Sequence, residues 1–274
     1  MKLKSILLTG IIAVAGLSLA ACSSSASSKT NEVDKIKKAG VIKVALSPDY
    51  PPFEYQTIKN GKNQVVGSDI ELANAIGQKL GVKVQIETMD FNNVLASLTS
   101  GQADIAISGI SATPEREKTY DFSDVYYNAT NLVVVKKSDL NKYTSVNDFK
   151  NEPVAAQKGT IQEQAVTSMF KGASLVSLPT TGDEINEVQE GQVKAAVIEN
   201  LIAKSYVAQN PSLAIANIDA NDAQEKSVGD AVALNKNEAD LKNVINGVIK
   251  DWKDSGKMDK VIQSNYAESQ KSAK

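Results

Sequence analysis

The 274-residue chain contains no histidine, one cysteine and one arginine. Without histidine, the usual general base, proton shuttle and metal ligand near neutral pH is missing. The one cysteine, Cys22, falls in a processing signal, so neither a catalytic thiol nor a disulfide is left for the folded body. Ser-His and Cys-His nucleophile systems and ordinary Cys/His zinc sites are thereby excluded, while carboxylate, lysine and tyrosine chemistry stay open. A glycine-rich phosphate loop, a basic block and an interleaving of aromatic with basic residues are also lacking. With 30 basic residues against 32 acids and a formal net charge of −2, the chain lacks the electrostatic footprint of a nucleic-acid binder.

Arginine scarcity makes the exception informative. Arg116 stands alone among 30 basic residues, the rest being lysine. A guanidinium is flat, always charged and offers a fork of donors that fits a carboxylate bidentately, which an ammonium cannot do. Arg116 is therefore a candidate clamp for a carboxylate. The competing reading is a solvated surface ion pair, which contributes little.

The N-terminus reads as an export signal and is set aside from the fold. Lys2 and Lys4 precede an apolar stretch from Ile6 to Leu19, followed by Leu19-Ala20-Ala21-Cys22. This resembles the bacterial lipobox, in which the cysteine is acylated and becomes the first mature residue. The apolar run is short for a membrane span. Removal of residues 1–21 takes two lysines with it and leaves 28 basic residues against 32 acids, a net charge of −4. Ser23 to Thr30 are small and polar. A flexible tether is expected over residues 22–38, holding the body near a membrane through lipid on Cys22.

Beyond the tether, strand and helix patterns alternate. Val41 to Leu46 reads as a strand. Ser68, with Glu71 three residues on, has capping-box spacing at the start of a helix through Ile70, Ala73, Ile76 and Leu80, which Gly81 ends. Val82, Val84 and Ile86 alternate, a helix over Val94, Leu95 and Leu98 follows, and Ile105 and Ile107 alternate again. The theme returns at Val154–Gln157, with Thr160 placed to cap a helix, at Ser174–Leu178, and at Ala195–Ile198. The stretch from Leu241 to Trp252 is an amphipathic helix with Trp252 in the core, and the polar tail from Ser264 is expected to fray, with residues 269–274 disordered. Alternation of this kind gives mostly parallel sheets covered by helices. About 235 residues are enough for two α/β lobes, and ligands bind at the carboxyl edges of such sheets.

Three stretches carry a family resemblance. They are Gly67-Ser68-Asp69-Ile70-Glu71-Leu72, the run from Ala103 through Ser108-Gly109-Ile110-Ser111-Ala112-Thr113-Pro114-Glu115-Arg116, and Tyr120-Asp121-Phe122-Ser123. Together they resemble the polar amino-acid group (family 3) of ABC-transporter extracellular solute-binding proteins, from about Val41 to Tyr266. Ser68 departs from the pattern, standing where an aromatic or aliphatic residue is usual. The resemblance implies an α/β, two-lobed periplasmic-binding-protein fold of type II. Lobe 1 would span 41–130 plus 231–268 and lobe 2 would span 131–230, joined by two hinge strands near Asn128–Asn131 and Ser227–Asp230.

It also implies a site. Arg116 would clamp the ligand α-carboxylate, helped by backbone N–H groups at Ser111 and Thr160. Gly109 and Ser111 would meet the α-ammonium through a carbonyl and a hydroxyl, and Glu199 would pair with the same ammonium from lobe 2. Tyr50 and Phe91 would bound the side-chain pocket, while Ser108, Gln162 and Ser47 lie near it. Ser47 stands where glutamine and basic-amino-acid binders often carry aspartate, so a cationic side chain lacks an obvious counter-ion and an uncharged polar amino acid is favoured.

The expected protein is a lipid-anchored, monomeric binding component on the extracytoplasmic face. It would serve an ABC permease with a cytoplasmic ATPase, without cofactor, metal or nucleic acid. The alternative on the same scaffold is a cyclohexadienyl (arogenate/prephenate) dehydratase-like enzyme, in which Glu199 would serve as the acid.

Overall fold

The computed structural model describes residues 31–59, 61–221 and 229–271. The export signal, Cys22, the Ser23–Thr30 segment and Ser227 lie outside the described residues. The chain opens on helix α1 (Glu32–Ala39), capped by the Asn31 side chain and ended by Gly40 in the left-handed region. Ile36 is buried, and the Val33 N–H donates to Asp240 at 2.8 Å. The tether expected through residue 38 is thus corrected: from Glu32 the chain is helical, because Val33 and Ile36 present one apolar face to the core.

The first lobe continues with β1 (Val41–Leu46), β2 (Asp49–Tyr50), β3 (Glu54–Lys59), β4 (Lys62–Val66), α2 (Ser68–Leu80), β5 (Lys83–Thr88), α3 (Phe91–Thr99), β6 (Ile105–Ala106) and β7 (Tyr120–Phe122), with a single 3-10 turn over Arg116–Lys118. The second lobe holds β8 (Asn131–Lys136), β9 (Pro153–Gln157), α4 (Ile161–Met169), β10 (Ser174–Leu178), α5 (Thr181–Glu190), β11 (Ala195–Glu199), α6 (Asn200–Gln209) and β12 (Leu213–Ala216). The chain then returns to the first lobe as β13 (Ala233–Asn235), α7 (Ala239–Asp254) and α8 (Lys257–Ser269).

The two main sheets have matching orders, β5-β1-β6-β13-β7 and β10-β9-β11-β8-β12. In each, three strands run parallel and the two beyond them alternate: β13 is antiparallel to β6 and β7, and β8 to β11 and β12. This is the two-lobed type II fold. The carboxyl ends of β1, β6, β9 and β11 lead into the loops and helix starts that face the cleft, as open α/β sheets generally arrange their ligand edges. The hairpin β2-β3-β4 forms a separate small sheet that the sequence pattern leaves unannounced.

At α2 the capping box does not form. Gly67 is the N-cap, with φ 135°, and Ser68 is already the first helical residue. A Cβ on Gly67 would come within 2.0 Å of the Phe53 carbonyl oxygen, so only glycine lets the turn pass β3 at this distance. Phe53 and Trp252 are core residues, 0% and 7% exposed.

The crossings meet at the hinge. The Asp230 N–H donates to the Tyr127 carbonyl at 2.9 Å, and the Tyr126 N–H to the Asp230 carbonyl at 2.8 Å. The C-terminal helix corrects the frayed tail. Ser269 is buried within hydrogen-bond distance of the Ser205 hydroxyl on α6, 3.2 Å away, and Gln270 donates to the same hydroxyl at 2.8 Å. Residues 272–274 lie outside the described residues.

Candidate functional site

Lobe 1 supplies a loop that its own polar groups hold in place. The Ser108 hydroxyl donates to Glu54 at 2.6 Å and accepts from the Ser47 N–H at 3.0 Å. Ser47 in turn donates to Asp49 at 2.7 Å. Both serines are buried and fix the loop from behind rather than lining the cleft. The Gly109 N–H and the Tyr126 hydroxyl donate to Asp69 at 3.4 and 2.8 Å. Gly109 has φ 52°, and a Cβ there would sit 2.7 Å from the Tyr50 ring. The missing side chain is what lets the ring lie against the loop backbone.

Arg116 begins the turn that closes this loop. Its Nη1 donates to the Ser111 carbonyl at 2.8 Å, and its Nη2 reaches across to the Gly159 carbonyl of lobe 2 at 3.1 Å. The guanidinium carbon lies 5.8 Å from the centre of the Phe91 ring, within cation–π range. The chain's one arginine therefore sits where the two lobes meet, against an aromatic wall.

Lobe 2 faces it with helix N-termini. Thr160 caps α4, its hydroxyl accepting from the Glu163 N–H at 3.2 Å and donating to the Gln157 carbonyl at 2.6 Å. Its own N–H turns back to that carbonyl at 3.3 Å. This differs from the expectation that the Thr160 N–H is offered to a carboxylate: the tight turn after β9 uses it. Gln162 is buried and donates to Asn131 at 2.8 Å.

Glu199 is buried at the carboxyl end of β11 and accepts from the Tyr50 hydroxyl at 3.1 Å. Burial, and then the nearby Asp230, drive its carboxyl well above the usual range. Asp230, on the second crossing, is pushed up to about 8, chiefly by burial and by Asp69, with Arg116 and Ser111 opposing. Asp69 is raised to about 6 by burial, against the hydrogen bonds from Tyr126 and Gly109.

Further contacts draw the lobes together. Asp49 of β2 accepts from the Gln157 side chain at 2.9 Å and from the Thr181 N–H, at the start of α5, at 2.8 Å. The Tyr206 hydroxyl donates to the Asp49 carbonyl at 3.2 Å, and the Tyr127 hydroxyl to Asn200 at 2.9 Å. This is a closed arrangement. Two adjoining cavities remain between the lobes, each about 10 Å³, so an amino acid can enter only when the lobes part. One is lined by Tyr50, Phe91, Gly109, Ser111, Arg116 and Gln162, and the other extends from Glu199 past Gln157 to Glu184. A larger groove of about 540 Å³ runs between the β3-β4 hairpin and α8, but the buried charged groups do not converge there. Among the described residues, no three acidic side chains are placed to hold a metal ion together.

A molecule carrying both an anion and a cation suits these groups, and the comparisons decide the family. Bacterial extracellular solute-binding proteins, family 3, match the chain over residues 42–268. The chain belongs to this family. It is 34% identical to the arginine-binding extracellular protein ArtP of Bacillus subtilis over 261 residues, 94% of this chain and 96% of that protein. It also superposes on the amino acid ABC transporter substrate-binding protein AbpA of Streptococcus pneumoniae bound to L-arginine. That match has a TM-score of 0.82 at 48% identity, covering 86% of this chain and 98% of that one. A second solved relative is an ancestral amino acid-binding protein described as a precursor of cyclohexadienyl dehydratase, with a TM-score of 0.76 at 31% identity, covering 86% of this chain and 99% of that one. These relatives are named as binding proteins rather than enzymes.

For this family 3 solute-binding protein, sequence reasoning passed over several cleft residues. Asp230 reads only as a hinge end, Asp49 is close to Ser47 in sequence with no direction assigned to it, and no motif marks Glu184. Only the sheet order shows that the first turn of α5 opens on the cleft beside β9 and β11. No helix among the described residues is long and apolar enough to cross a membrane.

Proposed function

We propose that this protein is the lipid-anchored binding component of an ABC importer that captures a free L-amino acid between its lobes, with L-arginine the first candidate, and presents the closed form to the permease. The observation that carries the reading is the position of Arg116. It lies on lobe 1, donates across the cleft to lobe 2, and has the Glu199–Asp230 acids nearby in the same closed cleft. A zwitterion needs a cation at one end and an anion at the other, and this cleft offers both. The ligand carboxylate would take over Arg116, and the ammonium would take the place that the Tyr50 hydroxyl holds at Glu199.

Because the ligand touches both lobes only when they are together, binding shifts the open–closed equilibrium toward the closed form. The preference for an uncharged side chain, drawn from Ser47, gives way here. Glu184 supplies an acid at the cleft that the sequence did not place there, and relatives named for arginine favour the same choice. The lipid anchor rests on the Cys22 motif, and a Cys22→Ala chain released into the medium would support it.

Melting-temperature shifts against the twenty amino acids and cystine test the ligand. A ligand at a hundred times its dissociation constant adds about 2.7 kcal/mol to stability. Arginine is expected to give the largest shift, and the absence of any shift would remove the reading.

A further inference from the structure

The acids of the cleft differ in how well they are satisfied. Glu54 accepts from Ser108, Asp69 from Tyr126, and Asp49 from Ser47, Gln157 and Thr181. Glu184 stands apart. It is 1% exposed on the first turn of α5. Glu54, Asp69, Glu199 and Asp230 each also keep one buried oxygen unpartnered but accept at the other, whereas Glu184, with its Oε2 buried and unpartnered, accepts from no group among the described residues. The charged groups that bear on it are Asp49 and Asp183, both acids, which together with burial hold its carboxyl well above the usual range. A buried carboxylate with only like charges around it is costly, so a structural role would require donors that are not there. It lines the cavity that runs from Glu199 past Gln157 and Thr181.

We propose that Glu184 is the specificity-determining counter-ion of the site, receiving the distal cationic group, a guanidinium or an ammonium, of the bound amino acid's side chain. The inference rests on the reading above that an amino acid occupies the cleft with its α-carboxylate on Arg116. Given that anchor, the side chain extends away from Arg116 and Glu199 along the Tyr50 ring into the corner where Glu184 waits. Asp49 does not compete for the cation, because its carboxylate oxygens already accept within the protein and tie the lobes together. A guanidinium brings several donors to one plane. It can satisfy Glu184 while also donating to the Gln157 side-chain oxygen, which otherwise has only the Thr181 hydroxyl at 3.5 Å. A neutral head group brings no charge to offset the carboxylate. The site therefore discriminates by charge at a position remote from the groups that hold the zwitterion.

The test compares L-arginine with L-citrulline, which has the same length and a neutral head, by calorimetric titration of the wild type and of Glu184→Gln. The wild type is expected to prefer arginine by a hundredfold or more. In Glu184→Gln the preference should fall by tenfold or more, mainly through weaker arginine binding, and a smaller fall overturns the assignment. If the glutamine variant fails to fold, Glu184→Asp keeps the charge on a shorter arm. It should weaken arginine at least threefold while still preferring it over citrulline, and unchanged affinity overturns the assignment. A wild type that binds neutral amino acids and refuses arginine removes the counter-ion alone. A wild type that binds no amino acid removes the parent reading with it.

Discussion

The two ends of the cleft are built differently. At the Arg116 end, the guanidinium donates to backbone carbonyls from both lobes, Ser111 on one side and Gly159 on the other. The loop behind it is held by hydrogen bonds within lobe 1. At the Glu184 end, a carboxylate is buried with an unpartnered oxygen and acids for neighbours. In the proposed function the first end, whose guanidinium already has partners in both lobes, reads what every amino acid shares. The second is incomplete in the protein alone and reads what differs among amino acids. On this reading common recognition is placed on a loop held by hydrogen bonds within lobe 1, and selectivity on a group whose cost is met only by the right partner.

The largest expected effect lies at the common end. Arg116→Ala leaves a ligand carboxylate without its partner, at a cost of about 3–5 kcal/mol, or about two to three and a half orders of magnitude in affinity for arginine and citrulline alike. Arg116→Lys should also fall tenfold or more, because an ammonium lacks the planar fork. Calorimetric titration reads both. If the lysine variant matched the wild type, the two ends of the cleft would no longer differ in the way described.

Next is Glu199→Gln, which removes one charge from the ammonium subsite while Asp230 remains. Charge-assisted hydrogen bonds contribute about 1.5–3 kcal/mol, so affinity should drop about tenfold or more, again without a change in the arginine-to-citrulline ratio.

Asp49→Asn tests whether closure is separable from recognition. It weakens the links to Gln157 and Thr181, each worth about 0.5–1.5 kcal/mol. Affinity should fall about three- to tenfold with selectivity retained, and a change in selectivity would place Asp49 on the ligand instead.

The last effect is in pH and is read on stability rather than on affinity. Asp230 is pushed up to about 8 and Asp69 to about 6, chiefly by burial. An acid whose pKa is raised by folding stabilises the folded, closed form fully below its unfolded value, near 4. That contribution is lost as pH rises through the raised value. Without ligand, the closed form should therefore weaken from about pH 4 to about pH 8. Scattering or melting experiments should find the unliganded protein more compact and more stable at pH 5 than at pH 8. Saturating arginine should flatten the difference, because its ammonium gives the acids a counter-charge. A flat profile without ligand would contradict the burial of these acids.

How much of this the sequence disclosed follows the same division. The parallel strands and the helices between Val41 and Trp252 were legible where periodic apolar faces and glycine stops mark them locally, whereas the β2-β3-β4 hairpin and the antiparallel strands β7, β8, β12 and β13 were not. The Arg116 end was legible because a contiguous loop, Ser108 to Arg116, carries it, and because arginine is otherwise absent. The Glu184 end was not. Asp49, Gln157, Thr181 and Glu184 come from β2, β9 and α5, and nothing in their local sequence says that they meet. Ser47 shows the cost of reading locally: its position after β1 suggested a missing counter-ion, whereas the proposed acid lies on α5 in the other lobe. Capping at α2 failed for a tertiary reason, since the close pass of Gly67 by Phe53 took precedence over the Ser68–Glu71 spacing. The helix over Glu32–Ala39 was hidden by a lysine-rich surface around a single buried residue, Ile36.

A crystal structure of the protein grown with L-arginine tests the central claim most directly. One arginine is expected between the lobes, its carboxylate bidentate on Arg116, its ammonium at Glu199 and Asp230, and its guanidinium against Glu184. A liganded structure in which Arg116 faces solvent, or in which arginine lies outside the cleft, would contradict it.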